Sequence, residues 1–135
     1  MLFRSFFARA NGDWIRSTPA CDGESVFVAG MRDVLVCLDA ATGMERWRLD
    51  FVKQLNAPLP DFGFVCSPLA DGDAVYVQAG ASFVKINKRT GELVWRTLKD
   101  QGGMWGSVFS SPVFAELAGK RQLVDRKSTR LNSSH

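Results

Sequence analysis

The sequence predicts an all-β fold built from a repeated unit of about four short antiparallel strands. Two segments of similar sequence, residues 17–51 and 66–100, follow one another along the chain. Both contain alternating β-branched and aromatic residues bounded by glycine, which is typical of half-buried strands. No segment shows a helical period of useful length. With 135 residues, of which 46% are hydrophobic, the chain is long enough to bury a core.

The two segments match residue by residue, which identifies them as copies of one repeat. The offset is 49 residues at the start of the copies and 48 after a one-residue slip. A third copy opens at Ser111-Pro112, which repeats Ser67-Pro68. The matched pairs are Pro19 and Pro68, Asp22-Gly23 and Asp71-Gly72, Gly43 and Gly91, and Trp47 and Trp95.

The strands of each copy can be read in order. An inner strand runs through the Ser-x-Pro or Ser-Pro stretch, and "SVFVAG" or "AVYVQAG" follows it. "VLVCLD" or "SFVKIN" comes next, and a Thr-Gly turn leads into "ERWRLDF" or "LVWRTLK". Glycine suits that turn because it adopts positive φ without a steric penalty, and Asp39 or Asn87 can bond to nearby backbone.

Four antiparallel strands that recur every ~40–50 residues are the pattern of a β-propeller blade. The sequence therefore predicts a partial β-propeller of about two blades and the start of a third. We expect residues 1–16 to connect to a missing upstream part, with a weak amphipathic presequence as the alternative. Residues 52–64 are expected to form a long loop within the first blade. The predicted boundaries are 17–64 for the first blade, 65–109 for the second and 110–124 for the opening of the third.

The last eleven residues, 125–135, interrupt this pattern abruptly. "DRKSTRLNSSH" is identical to the translation of a widely used sequencing-library adapter, so we interpret it as a disordered artefact outside the fold. Without it the formal net charge falls from +3 to +1, which gives no argument for a nucleic-acid partner. His135, the only histidine, also lies in this tail, which excludes histidine-based catalysis from residues 1–124.

The pattern Asp/Asn-x-x-Thr-Gly-x-x-x-Trp, present in both copies, resembles the tryptophan-docking motif of the pyrroloquinoline-quinone-type (PQQ-like) propeller repeat. The resemblance covers residues 17–124. It implies that Gly43, Trp47, Gly91 and Trp95 are structural, with each tryptophan packed across the gap between neighbouring blades. An alanine usually begins the motif, and Cys37 and Lys85 stand in its place. The lysine implies looser or more exposed docking in the second copy.

The resemblance also implies two alternative functions. The leading one is a non-enzymatic binding or scaffolding propeller, like a periplasmic outer-membrane protein assembly lipoprotein of this family. The alternative is the propeller of a PQQ-dependent alcohol or sugar dehydrogenase, with PQQ and calcium as cofactors. Those enzymes carry an adjacent Cys-Cys pair, which this chain lacks. The family implies an extracytoplasmic, periplasmic location, and as partners the remaining blades of the full-length chain and other proteins.

Aromatic residues recur just before each inner strand, near the expected mouth of the propeller channel. They are candidates for an aromatic-lined binding face. The alternative is that they cover loop backbone and plug the channel mouth, which is the commoner role of loop aromatics. These candidates are Trp14, Phe62, Phe64 and Trp105.

No catalytic, cofactor-binding or metal-binding residue is predicted. Cys21, Cys37 and Cys66 have neither metal-ligand spacing nor the spacing of a redox pair. "DGD" at 71–73 does not continue as a calcium loop, and "QGGMWG" at 101–106 lacks the lysine of a phosphate loop. The apolar runs are too short for a transmembrane helix.

Overall fold

The computed structural model describes residues 15–103 and 109–125 of the chain. Within those ranges no helix is long and apolar enough to cross a membrane. The elements are β1 (Ala20–Cys21), β2 (Ser25–Gly30), β3 (Val34–Asp39), β4 (Glu45–Asp50), α1 (Phe51–Leu55), β5 (Leu69–Asp71), β6 (Ala74–Gln78), β7 (Phe83–Asn87), β8 (Leu93–Thr97), β9 (Val113–Leu117) and β10 (Lys120–Val124).

The strands form two sheets and a hairpin. Strands β1–β4 make one antiparallel sheet and β5–β8 make another, each in the order of the sequence. Within the described ranges, strands β9 and β10 pair only with each other. A four-stranded antiparallel meander repeated along the chain is the architecture of propeller blades. The predicted all-β fold is therefore confirmed.

One hydrophobic core joins the two sheets. On β2 every second residue is buried, including Phe27 and Ala29, as expected of a strand with one covered face. On β6 burial extends to both faces, and only Tyr76 is partly exposed. Strand β6 is covered on both faces because the second sheet contacts the first sheet on one side and the hairpin on the other, where the Tyr76 and Phe114 ring centroids are 5.6 Å apart.

The connection after β4 begins with a helical turn that the sequence pattern did not predict. The Asp50 carboxylate caps α1 by accepting a bond from the Lys53 backbone N–H at 3.1 Å. The helix ends at Leu55, and the capping residue Asn56 has the left-handed conformation favoured at helix C-termini. Five residues are too few to show a helical period, so Asp50 and Asn56 were the only sequence signals for this helix.

Candidate functional site

The Thr-Gly turns of the two copies have the same geometry. In the first, the Asp39 carboxylate accepts bonds from the N–H groups of residues 41 and 42 at 2.9 and 3.0 Å. In the second, the Asn87 amide oxygen accepts from residues 89 and 90 at 2.9 and 3.2 Å. Gly43 and Gly91 have φ of +73° and +76° and each closes its turn onto the Asp39 or Asn87 carbonyl. The repeated sequence thus encodes a repeated Asx-type turn.

Trp47 lies on β4 and packs against the turn of the second copy. A Cβ placed on Gly91 would come within 2.8 Å of the Trp47 ring, so only glycine lets the turn approach this closely. The indole N–H donates to the Lys88 carbonyl at 2.9 Å. The ring also contacts Phe27, with a centroid separation of 6.0 Å. The contact therefore combines ring packing with a satisfied indole N–H.

Trp95, the equivalent residue on β8, has different neighbours. Its ring contacts Phe83 at 5.6 Å and Tyr76 at 6.1 Å, and both belong to its own sheet. Among residues 15–103 and 109–125 no turn covers it as Gly91 covers Trp47.

The residues opposite the two tryptophans also differ. Cys37 pairs with Trp47 across β3 and β4, and Lys85 pairs with Trp95 across β7 and β8. A register shift follows directly after each of these pairs, so the irregularity is repeated too. Cys37 is fully buried, whereas Lys85 is half-buried with its ammonium 5.7 Å from the Tyr76 ring.

The segments just before β1, β5 and β9, through which the sequence analysis had run an inner strand, are linked by a repeated hydrogen bond that sequence reasoning did not assign. The Thr18 N–H donates to the Ser67 hydroxyl at 2.9 Å, and the Ser67 N–H donates to the Ser111 hydroxyl at 2.9 Å. Each residue precedes the proline that opens its copy. The recurrence of Ser or Thr before that proline was the sequence signal for this contact. The two hydrogen bonds join successive copies where each copy begins.

Asp33, which sequence reasoning also missed, is buried between the two sheets. It lies in the turn between β2 and β3 and is 1% exposed. Its Oδ2 accepts a bond from the Gly80 N–H of the β6–β7 turn at 2.9 Å. Desolvation raises the pKa of this carboxyl to about 7, and the nearby Asp50 charge adds to the shift while the Gly80 bond opposes it.

The two long connections between copies meet at the ends of the sheets. A Cβ on Gly102 would come within 2.6 Å of Pro58, so these segments are in close contact. Phe62 and Phe109 pack with ring centroids 5.7 Å apart, and 36% and 47% of their surfaces are exposed. A partly exposed aromatic pair is thus available on this side of the molecule.

The four candidate aromatics do not share one environment. Phe62 is on the surface, but Phe64 is only 1% exposed and belongs to the core. A ring in the core cannot contact an external ligand, which removes Phe64 from the candidate face. Trp14 and Trp105 lie outside the residues that the structure describes.

A shallow groove of about 470 Å³ runs beside Trp47 between β4, α1 and the second Thr-Gly turn. Arg48 and Glu92 lie among its lining residues, so charges of both signs are present. Arg48 is already paired with Glu45 at 2.8 Å. The groove therefore lacks a concentrated charge that would select an ionic ligand.

Residues 15–103 and 109–125 do not form the acidic cluster that would hold the calcium of a quinone site. In the described part of the chain, no three His, Cys, Asp or Glu side chains are arranged to hold a metal ion. The acids at the turns are held in ion pairs: Asp39 with Arg46, Asp22 with Lys88 and Asp71 with Arg121. The two buried cysteines are free thiols, and burial raises the pKa of the Cys66 thiol to about 12.

Comparison with known proteins supports the interpretation of the repeat. A family model described as outer membrane protein assembly factor BamB matches residues 5–133. The outer membrane protein assembly factor BamB of Yersinia pestis is 29% identical over 101 residues, which make up 73% of this chain and 24% of that protein. The chain thus spans about a quarter of the length of the curated relative it matches.

Two solved structures share the fold. BamB from Moraxella catarrhalis aligns over 66% of this chain and 25% of that chain, with a TM-score of 0.52 and 23% identity. Quinohemoprotein alcohol dehydrogenase from Comamonas testosteroni aligns over 80% of this chain and 16% of that chain, with a TM-score of 0.54 and 20% identity. At these identities the likeness concerns the fold alone.

The two four-stranded sheets, the repeated turn and the family match together define a protein of the PQQ-like β-propeller repeat class. Within that class, the chain belongs to the outer membrane protein assembly factor BamB family, whose model matches nearly its whole length.

Proposed function

We propose that the chain is part of a non-enzymatic β-propeller that binds other proteins outside the cytoplasm and assists outer membrane protein assembly. The observation that carries this proposal is the family match over residues 5–133. The Yersinia pestis relative, which bears the same description, supports it.

The chemistry of the described residues supports a scaffold. Asp39, Asn87 and Asp22 bond to turn backbone, and Trp47 and Gly91 join the two sheets. These polar groups are used to hold turns and copies together, as repeat scaffolds require.

We propose further copies of the repeat, from a longer chain, as the first partner. Several large apolar side chains of the second sheet and the hairpin are exposed, and stacked repeats normally cover such surfaces. The match covers only 24% of the Yersinia pestis relative, which is consistent with additional copies in a longer chain. The exposed side chains are Leu93, Val94, Val113, Leu117 and Val124 on the strands and Leu98 directly after β8.

The exposed pair Phe62 and Phe109 is our candidate contact for a protein partner. Aromatic side chains contribute strongly to protein interfaces because they bury a large apolar area with little loss of conformational freedom. Both rings lie on the connections between copies, and loops are where propellers usually bind. The periplasm, which the family suggests, is the proposed location.

Complementation tests the proposal. The full-length product of this gene would be exported to the periplasm of a Gram-negative strain that lacks its own protein of this family. We expect the abundance of outer membrane proteins to rise toward the parental level, measured by quantitative blotting of membrane fractions. An unchanged abundance, with the exported protein shown to be folded and periplasmic, would contradict the proposal.

A quinone titration tests the enzymatic alternative directly. The full-length protein would be mixed with PQQ with and without calcium, and the quinone absorbance followed. We expect no saturable change under either condition. Saturable, calcium-dependent binding would contradict the scaffold proposal and favour a quinoprotein.

A further inference from the structure

Asp33 joins the first and second sheets through a buried hydrogen bond. Its Oδ2 accepts from the Gly80 N–H at 2.9 Å, although the two residues are 47 positions apart. Gly80 and Ala81 form the two-residue turn between β6 and β7, and both have positive φ, as such hairpin turns require. The Asp33 carbonyl also accepts from the Phe51 N–H at 3.0 Å, so this residue links three segments.

The second carboxyl oxygen of Asp33 has no such bond. Oδ1 is fully buried and has no hydrogen-bond partner in the part of the chain that the structure describes. An ionised carboxylate that is buried with one oxygen unpaired pays a large desolvation penalty. The neutral acid avoids most of that penalty and still offers its carbonyl oxygen to Gly80.

The charged groups around Asp33 do not compensate the desolvation penalty of its ionised carboxylate. The Asp50 carboxylate repels the ionised form, and Arg96 attracts it. The Arg96 guanidinium, however, donates to the Ser82 hydroxyl at 2.8 Å and the Gly80 carbonyl at 2.6 Å, so it bonds to the turn. Of the three segments that meet at Asp33, the β2–β3 turn also carries Arg32, α1 carries Lys53, and the β6–β7 turn carries no charged residue.

We propose that Asp33 is a proton-controlled clasp between the first and second sheets: its neutral form holds the two turns together and its ionised form loosens them. Because burial raises the pKa of Asp33 to about 7, the change falls near neutral pH. Between pH ~4 and ~7 the folded protein then binds more protons at this site than the unfolded chain. Folding stability therefore decreases as pH rises through that window.

Hydrogen exchange at Gly80 in the full chain tests the clasp. The Gly80 N–H should exchange faster as the pH rises from 6 to 8, by roughly tenfold beyond the intrinsic base-catalysed increase. Asp33→Asn keeps an oxygen acceptor of similar shape but cannot ionise, and it should abolish this additional increase. Asp22→Asn is the matched control, since Asp22 also joins the sheets but is paired with Lys88 at 2.7 Å. Asp22→Asn should leave the additional increase in Gly80 exchange unchanged.

A direct titration of the Asp33 carboxyl carbon by NMR provides the second measurement. We expect a midpoint near pH 7 that moves downward in Asp50→Asn, because a like charge has been removed. A midpoint below pH 5, or an additional increase in exchange that persists in Asp33→Asn, would overturn the proposal. Should Asp33→Asn not fold, the Asp50→Asn shift and the wild-type midpoint decide the question.

Discussion

The two copies of the repeat have the same turn and the same tryptophan, yet the tryptophans have different surroundings. Trp47 is covered by the Gly91 turn of the next copy and bonds to the Lys88 carbonyl. Trp95 contacts rings of its own sheet, and no equivalent turn covers it among the described residues. Local sequence thus determines the turn and the position of the ring, whereas contacts with the neighbouring copy determine how much the ring contributes to stability.

The largest expected difference between the copies concerns the tryptophans themselves. We expect Trp47→Ala to lower the free energy of unfolding by about 3 kcal/mol or more, because it removes a large ring from a contact between sheets. Trp95→Ala should cost clearly less. Urea unfolding of the full chain, followed by circular dichroism, measures both. Equal losses would mean that Trp95 is covered as completely as Trp47.

Substitutions of the two turn glycines distinguish the cost of backbone strain from the cost of a clash with the Trp47 ring. Gly91→Ala and Gly43→Ala both place a side chain at positive φ, which costs about 1–2 kcal/mol. Only at Gly91 would the new Cβ meet the Trp47 ring, at 2.8 Å, whereas nothing lies within 4 Å at Gly43. We therefore expect Gly91→Ala to be the more destabilising in the same urea assay. A Gly43→Ala loss of equal size would show that strain alone matters.

Phenylalanine substitutions test the indole bond alone. Trp47→Phe removes the N–H that donates to Lys88 and should cost about 1 kcal/mol for that bond, besides the smaller ring. Trp95→Phe is the control, since no described residue accepts a bond from its indole. The difference between the two variants in urea unfolding should therefore be positive. A difference of zero would indicate that water replaces the Lys88 carbonyl at no cost.

The smallest expected effect concerns two ion pairs at corresponding aspartates. Asp22 pairs with Lys88 and Asp71 with Arg121, both at 2.7 Å, but the Asp22 pair is less exposed. We expect Lys88→Met to destabilise slightly more than Arg121→Met, and both losses to shrink at high salt. Lys88 holds the pKa of Asp22 down to about 2, so this contribution is lost as pH falls from ~4 to ~2. Salt-independent losses would argue against charge as the cause.

Much of the fold follows from repeated local patterns. The alternation in "SVFVAG" predicted β2, and Asp39 and Asn87 predicted the turns, because strand period and Asx bonding depend on residues close in sequence. The helix α1 was missed since its five residues show no period. Of the candidate aromatics, Phe62 and Phe64 are two residues apart, yet one is on the surface and the other is in the core.

The site was harder to predict because its contacts are distant in sequence. The sequence analysis did not single out Asp33, because nothing near it in the sequence indicates that it meets Gly80 47 residues later. Ser67 and Ser111 each precede a proline, but this pattern alone did not indicate which backbone N–H would donate a bond to their hydroxyls.

The sequence by itself determined the number and order of strands in each copy, the Thr-Gly turns and the family, because these depend on local conformational preference and on repetition. Only the tertiary structure decided that Trp47 is covered, that Phe64 is in the core and that Asp33 is buried with an unpaired oxygen. Burial depends on which surfaces meet, and that is set by the packing of one sheet on the next.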